Sequence, residues 1–138
     1  MANKDAAFGL IPARMMGGAP YSGGQSRYRI ASNQSGAIFQ GDLVKQLTGG
    51  TVSRAAASST VPVVGVFNGV QYTDPTSKEV VFKNHYPGSI VASDIIAFII
   101  DDPDVVFEIQ ADDTFPVADL FGNFDIVDQS TTGDTASG

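Results

Sequence analysis

From Arg27 to Gln110 short apolar runs alternate with clusters of glycine, proline, serine, asparagine and aspartate. "RYRI" is predicted to be a strand, followed by the loop "ASNQSG". "DLVKQL" is a second strand, "TGG" turns it, and "TVSR" is the hairpin return. "PVVGVFNGVQY" is long enough for a central strand, with Gly65 and Gly69 marking a bulge or a close backbone approach. "EVVFKNHY" alternates with period two, which places Val80, Phe82 and Tyr86 on one face. Glu79, Val81, Lys83 and His85 take the other.

"DIIAFII" is apolar on both faces, because Ile96, Phe98 and Ile100 alternate with Ile95, Ala97 and Ile99. Such a strand needs cover on two sides. "DDPD" reads as a turn in which Pro103 fixes φ and the aspartates accept backbone N–H bonds. "VVFEIQ" then returns as the second arm of a hairpin spanning Ile95 to Ile109, with Val105, Phe107 and Ile109 facing in. "TFPVADLFGN" is the one candidate helical turn, opened near Pro116 and stopped at Gly122. "FDIV" is a last short strand, and residues 129–138 form a polar tail.

Residues 1–26 follow neither period and read as an extended arm before a body spanning 27–128. The arm nonetheless carries Phe8, Leu10, Ile11, Met15, Met16 and Tyr21, unlike the polar composition of a disordered tail. Burying such groups is worth about 1.5–3 kcal/mol each. They call for a covering surface, from the chain's own body or from a partner.

Composition sharpens the fold class. Fourteen valines and ten isoleucines stand against four leucines, and branching at Cβ suits a pleated sheet. Fifteen glycines and seven prolines interrupt any long helix. The expectation is an all-β fold: a single small β-barrel or β-sandwich, tulip-like or jelly-roll, with one short helical turn. With 138 residues there is room for one such domain. No apolar run approaches the roughly eighteen residues of a membrane span, and "MANKDAAFGL" has no signal-peptide core. The absence of cysteine removes disulfides and thiolate chemistry.

Charge divides the chain. Residues 1–60 hold six bases and two acids, a net of +4, and residues 61–138 hold two bases and thirteen acids, a net of −11. That asymmetry argues against direct nucleic-acid binding by the body and allows a basic N-terminal part to lie on an acidic partner. The acidic run "DDPDVVFEIQADD" lacks the ligand register of a calcium loop. A solvated turn explains Asp101, Asp102 and Asp104 best, ahead of a basic partner contact or a metal. His85, the one histidine, has no G-x-S-x-G elbow to serve, and Ser89 in "PGSI" is a poor imitation of one. The glycine pairs match no phosphate loop. No catalytic constellation and no cofactor is expected.

"MANKDAAFGLIPAR", "PVVGVFNGVQYTD", "VVFKNHYPGSIVASD" and "IIDDPDVVFEIQADD" together resemble capsid decoration (cement) proteins of tailed bacteriophages, cyanophage-like ones in particular. The resemblance implies a β-rich structural virion protein made in the host cytoplasm. It would bind the outer surface of the assembled capsid, commonly as a homotrimer, and cement neighbouring major capsid protein subunits. Residues 4–30 are then expected on the shell, with Phe8, Leu10, Ile11, Tyr21 and Tyr28 as anchors and Arg14, Arg27 and Arg29 meeting acids. Ile96, Phe98, Ile100 and Phe107 are expected at the trimer interface. A carbohydrate-binding or adhesion β-sandwich is the rival reading, disfavoured by the absence of tryptophan. A hydrolase built on His85 and the aspartates is a third.

Overall fold

The computed structural model describes residues 8–56, 62–111 and 113–126. Eight strands and one 3-10 turn, Val117–Asp119, make up the regular structure of these residues. The strands are β1 (Ile11–Met15), β2 (Ser26–Arg29), β3 (Leu43–Gln46), β4 (Val52–Arg54), β5 (Val63–Thr73), β6 (Val80–Lys83), β7 (Ile96–Ile100) and β8 (Val105–Glu108). The protein is all-β, a sandwich-like domain of open antiparallel sheets.

β5 is the spine of the larger sheet. β7 takes one of its edges, and β3 and β6 share the other, β3 along its first half and β6 along its second. The path runs β2-β7-β5-β3-β4, and its end strands meet at one parallel bridge, Arg29 to Thr51. The sheet therefore curls without closing into a continuous barrel. Both glycines singled out in β5 have a steric reason. A Cβ on Gly65 would strike the carbonyl oxygen of Ile100, and Gly69 sits where the β5–β7 register shifts.

Phe67, Val70, Tyr72, Ile95, Ala97 and Ile99 form the heart of the inner core. Two irregular segments cap it. Ile38 and Tyr86 exchange backbone hydrogen bonds of 2.9 and 2.7 Å, and both side chains lie inside. The alternation of "EVVFKNHY" thus holds only to Lys83, where β6 stops. Tyr86 turns inward, away from the face that carries Val80 and Phe82.

Three further expectations are corrected. The hairpin from Ile95 to Ile109 does not form as a paired ladder: β7 already has β2 and β5 on its two edges, so β8 leaves the sheet. β8 instead pairs antiparallel with β1, the strand that sequence periodicity did not show in residues 1–26. Met15, Val105 and Phe107 of this second, two-stranded sheet, with Leu10 just before it, pack on Val66 and Ile100, which supplies the two-sided cover that "DIIAFII" requires at its C-terminal end. The expected "FDIV" strand is absent over 124–126, and residue 127 and the 129–138 tail lie outside the described residues.

Candidate functional site

The register of the larger sheet fixes what its outer face presents. Inner residues Phe67 and Val70 oppose Ile99 and Ala97, so Gly69 and Gln71, opposite Phe98 and Ile96, point outward. The same reasoning places Phe82 (opposite Gln71) and Val80 (opposite Thr73) on the outer face of β6. It also places Arg27 (opposite Phe98) and Arg29 (opposite Ile96) on the outer face of β2.

These side chains form a continuous platform. The Phe82 and Phe98 rings lie nearly parallel, with centroids 6.2 Å apart and an interplanar angle of 13°. The Arg27 guanidinium lies 5.8 Å from the Phe98 centroid, within cation–π range. Neither Arg27 nor Arg29 has a carboxylate partner among the described residues. Phe82 is 69 % exposed, and Val80 is open to solvent as well. The β1–β8 sheet covers only the Val66–Ile100 end of this face. An exposed apolar patch rimmed by unpaired cations is a docking feature more than a catalytic one.

Tyr28 alternates away from the arginines. Its hydroxyl donates to the Asp101 carboxylate at 2.7 Å, and the Ser26 hydroxyl donates to the other oxygen at 2.9 Å. The Asp101 bond holds the Tyr28 hydroxyl pKa above its ordinary value, with burial adding to the effect. Asp101 is thus a tie between β2 and the end of β7. Asp102, by contrast, accepts the backbone N–H of Asp104 at 2.9 Å within the exposed turn.

The N-terminal anchors divide. Leu10 and Tyr21 are half-buried against the second core, and Tyr21 donates its hydroxyl to the carbonyl of Gly24. Phe8, Ile11 and Met16 remain exposed, beside the exposed Arg14. Residues 4–7 of the expected contact segment lie outside the described residues. Of the expected trimer residues, Ile96 and Phe98 belong to the outer platform. Ile100 is 2 % exposed and Phe107 half-buried, and both are occupied by the chain's own second core.

His85 stacks on Phe39 at 6.1 Å, and its Nδ1 lies 3.0 Å from the Asn84 amide oxygen. Neither contact makes a base–nucleophile pair. Among the described residues no group of three His, Cys, Asp or Glu side chains comes together. A shallow cleft of about 180 Å³ between Gly9–Pro12 and Gln40–Gly41 has no titratable group in its lining. Among the described residues no helix is long and apolar enough to cross a membrane.

No protein-family model matches the chain, and no curated protein or solved structure shows significant similarity to it.

Two features escaped the sequence reading. Period-two alternation grouped Val80 with Phe82, but the solvent on their side is set by where β1 and β8 end. "TFPVADLFGN" predicts its own turn, whereas the exposure of the apolar side chains in and after it follows only from the fold.

Proposed function

We propose that the protein is a structural virion component. It attaches to the outer surface of an assembled phage capsid and holds neighbouring major capsid protein subunits together. One observation carries this reading: Ile11 and Arg14 stay exposed on β1, flanked by the exposed Phe8 and Met16, while the strand itself is pinned to the body. A pinned, apolar and basic strip can dock on another protein with little ordering cost. The resemblance carried by "MANKDAAFGLIPAR" and the later segments supplies the identity of that other protein. No catalytic step is assigned to any residue.

The mechanism is additive. A subunit that touches several shell proteins lends its binding free energy to the assembled state alone. Many weak contacts across a symmetric lattice then sum through multivalency. Self-association into a trimer at three-fold positions would raise the number of contacts per particle.

Removing residues 1–20 would be a poor test, because Leu10 and Met15 cover Val66 and Ile100. Point changes on the exposed strip leave that cover in place. Purified protein is mixed with expanded, empty heads of the cognate phage, and the bound fraction is read by co-sedimentation. Wild type is expected to pellet with the heads, and Ile11→Asp with Met16→Asp to lose at least tenfold in affinity while keeping the native circular dichroism. Wild-type protein that stays in the supernatant, or a variant that binds as wild type does, overturns the reading.

A further inference from the structure

A second exposed apolar surface lies in segment 113–126. Its backbone closes on itself: the N–H groups of Asp119, Leu120 and Gly122 donate to the carbonyls of Pro116, Val117 and Asp119. The Phe115 and Phe124 rings meet edge to face at 5.2 Å, and Gly122 leaves room for the Phe124 ring. The result is a preformed knob. Its crown points away from these internal contacts: Phe121 is 97 % exposed and Val117 85 %.

The knob is acidic as well as apolar. It carries Asp113, Asp119 and Asp125, and no lysine or arginine occurs anywhere after Lys83. The outer sheet platform has the opposite character, with Arg27 and Arg29 beside Phe82 and Phe98. One surface offers apolar side chains among carboxylates, the other apolar side chains among guanidiniums. Within one chain the two do not cover each other, since Phe121 and Phe82 both face solvent.

We propose that the 113–126 knob of one copy seats on the Arg27–Phe98–Phe82 platform of a second copy. Phe121 packs beside the stacked phenylalanine rings, and Asp119 and Asp125 meet Arg27 and Arg29. Each copy then has one donor and one acceptor, which makes the contact heterologous. A heterologous contact repeats head to tail, closing a ring where the rotation between copies permits and otherwise running on as an open filament, and a filament in the test below would overturn the ring. A short knob buries far less than the roughly 1,600 Å² of a standard stable interface, so a single contact is weak. Ring closure gives every copy two contacts and makes the assembly stable. The inference deepens the self-association part of the proposed reading by giving it a surface, and its test is separable from capsid attachment because it uses the free protein.

Sedimentation velocity of the full chain without heads, across the micromolar range, tests it. Wild type is expected as a closed ring. Phe121→Gln is expected to weaken self-association at least tenfold, and so is the pair Arg27→Glu and Arg29→Glu. All these side chains are exposed, and unchanged thermal unfolding of the monomer confirms that each variant folds. The decisive chain combines Arg27→Glu and Arg29→Glu with Asp119→Arg and Asp125→Arg, which reverses both charges and is expected to restore the ring. A monomeric wild type, variants that still form rings, or a charge-reversed chain that stays monomeric would each overturn the assignment.

Discussion

Gly9 and Gly41 pass backbone against backbone: a Cβ on Gly41 would lie 2.8 Å from the Gly9 Cα. Gly41 has φ +92°, and its carbonyl accepts the Leu10 N–H at 3.0 Å. The pair is a clasp that leads the N-terminal segment into β1. Gly41→Ala is expected to cost about 2–4 kcal/mol, combining a left-handed backbone with overpacking. Gly17 has nothing within 4 Å of its would-be Cβ, so Gly17→Ala is the control and should change stability by under about 0.5 kcal/mol. Urea midpoints of the two variants check the contrast.

Two buried tyrosines should respond to loss of their hydroxyls with opposite signs. The Tyr86 hydroxyl donates to the Gln34 carbonyl at 3.0 Å and accepts the Ile90 N–H. The Tyr72 hydroxyl is buried and has no hydrogen-bond partner among the described residues. Tyr86→Phe should therefore lose about 1 kcal/mol, and Tyr72→Phe should gain up to about 1 kcal/mol by removing an unsatisfied group. Thermal unfolding of both variants decides; destabilisation by Tyr72→Phe would contradict the packing described.

Acid weakens the fold through Asp94. Its carboxylate accepts the Thr73 hydroxyl at 2.5 Å and the Thr73 backbone N–H, which hold its pKa below the ordinary 3.8. Asp74 is lowered too, by the N–H groups of Thr76 and Ser77. A lowered folded pKa gives stability that is full above the unfolded value and drains as pH falls through the folded one. Denaturant midpoints should drop below pH 3.8, and Asp94→Asn should flatten that part of the profile.

Alkali acts through Tyr28. Its raised pKa means that the folded state keeps the phenol proton longer than the unfolded chain does. That contribution is complete below pH 10.0 and is lost as pH climbs through the folded value. Tyr28→Phe should cost about 1 kcal/mol at neutral pH, the usual worth of one hydrogen bond in a partly solvated site. Tyrosinate absorbance against pH should lose one alkaline-shifted component in that variant, while those of Tyr21 and Tyr86 remain.

Local pattern sufficed where local forces decide. "PVVGVFNGVQY" and "DIIAFII" announced β5 and β7 through branched residues and bounding turns, and Arg27 and Arg29 around Tyr28 already shared a face by alternation. β1 was illegible because "IPARM" contains Pro12 and gains its ladder from β8, near the other end of the described chain. Adjacency in sequence favours a β7–β8 hairpin, yet both edges of β7 are filled by β2 and β5. The outer platform depended on the same long-range outcome. Its residues were visible in the sequence, but the extent of the lid over them was not.

The β1–β8 pairing has a consequence for how the chain is made. Among the described residues β1 is synthesised before the other seven strands, and the strand it needs comes last. Until β8 arrives, β1 has no partner strand and Val66 and Ile100 lack Val105 and Phe107 in their cover, so a nascent chain halted before Val105 presents a greasy half-built sheet. Contacts so far apart in sequence close slowly. Quality control in the cell that makes it would meet this protein as a late zipper, fastened by its final stitch.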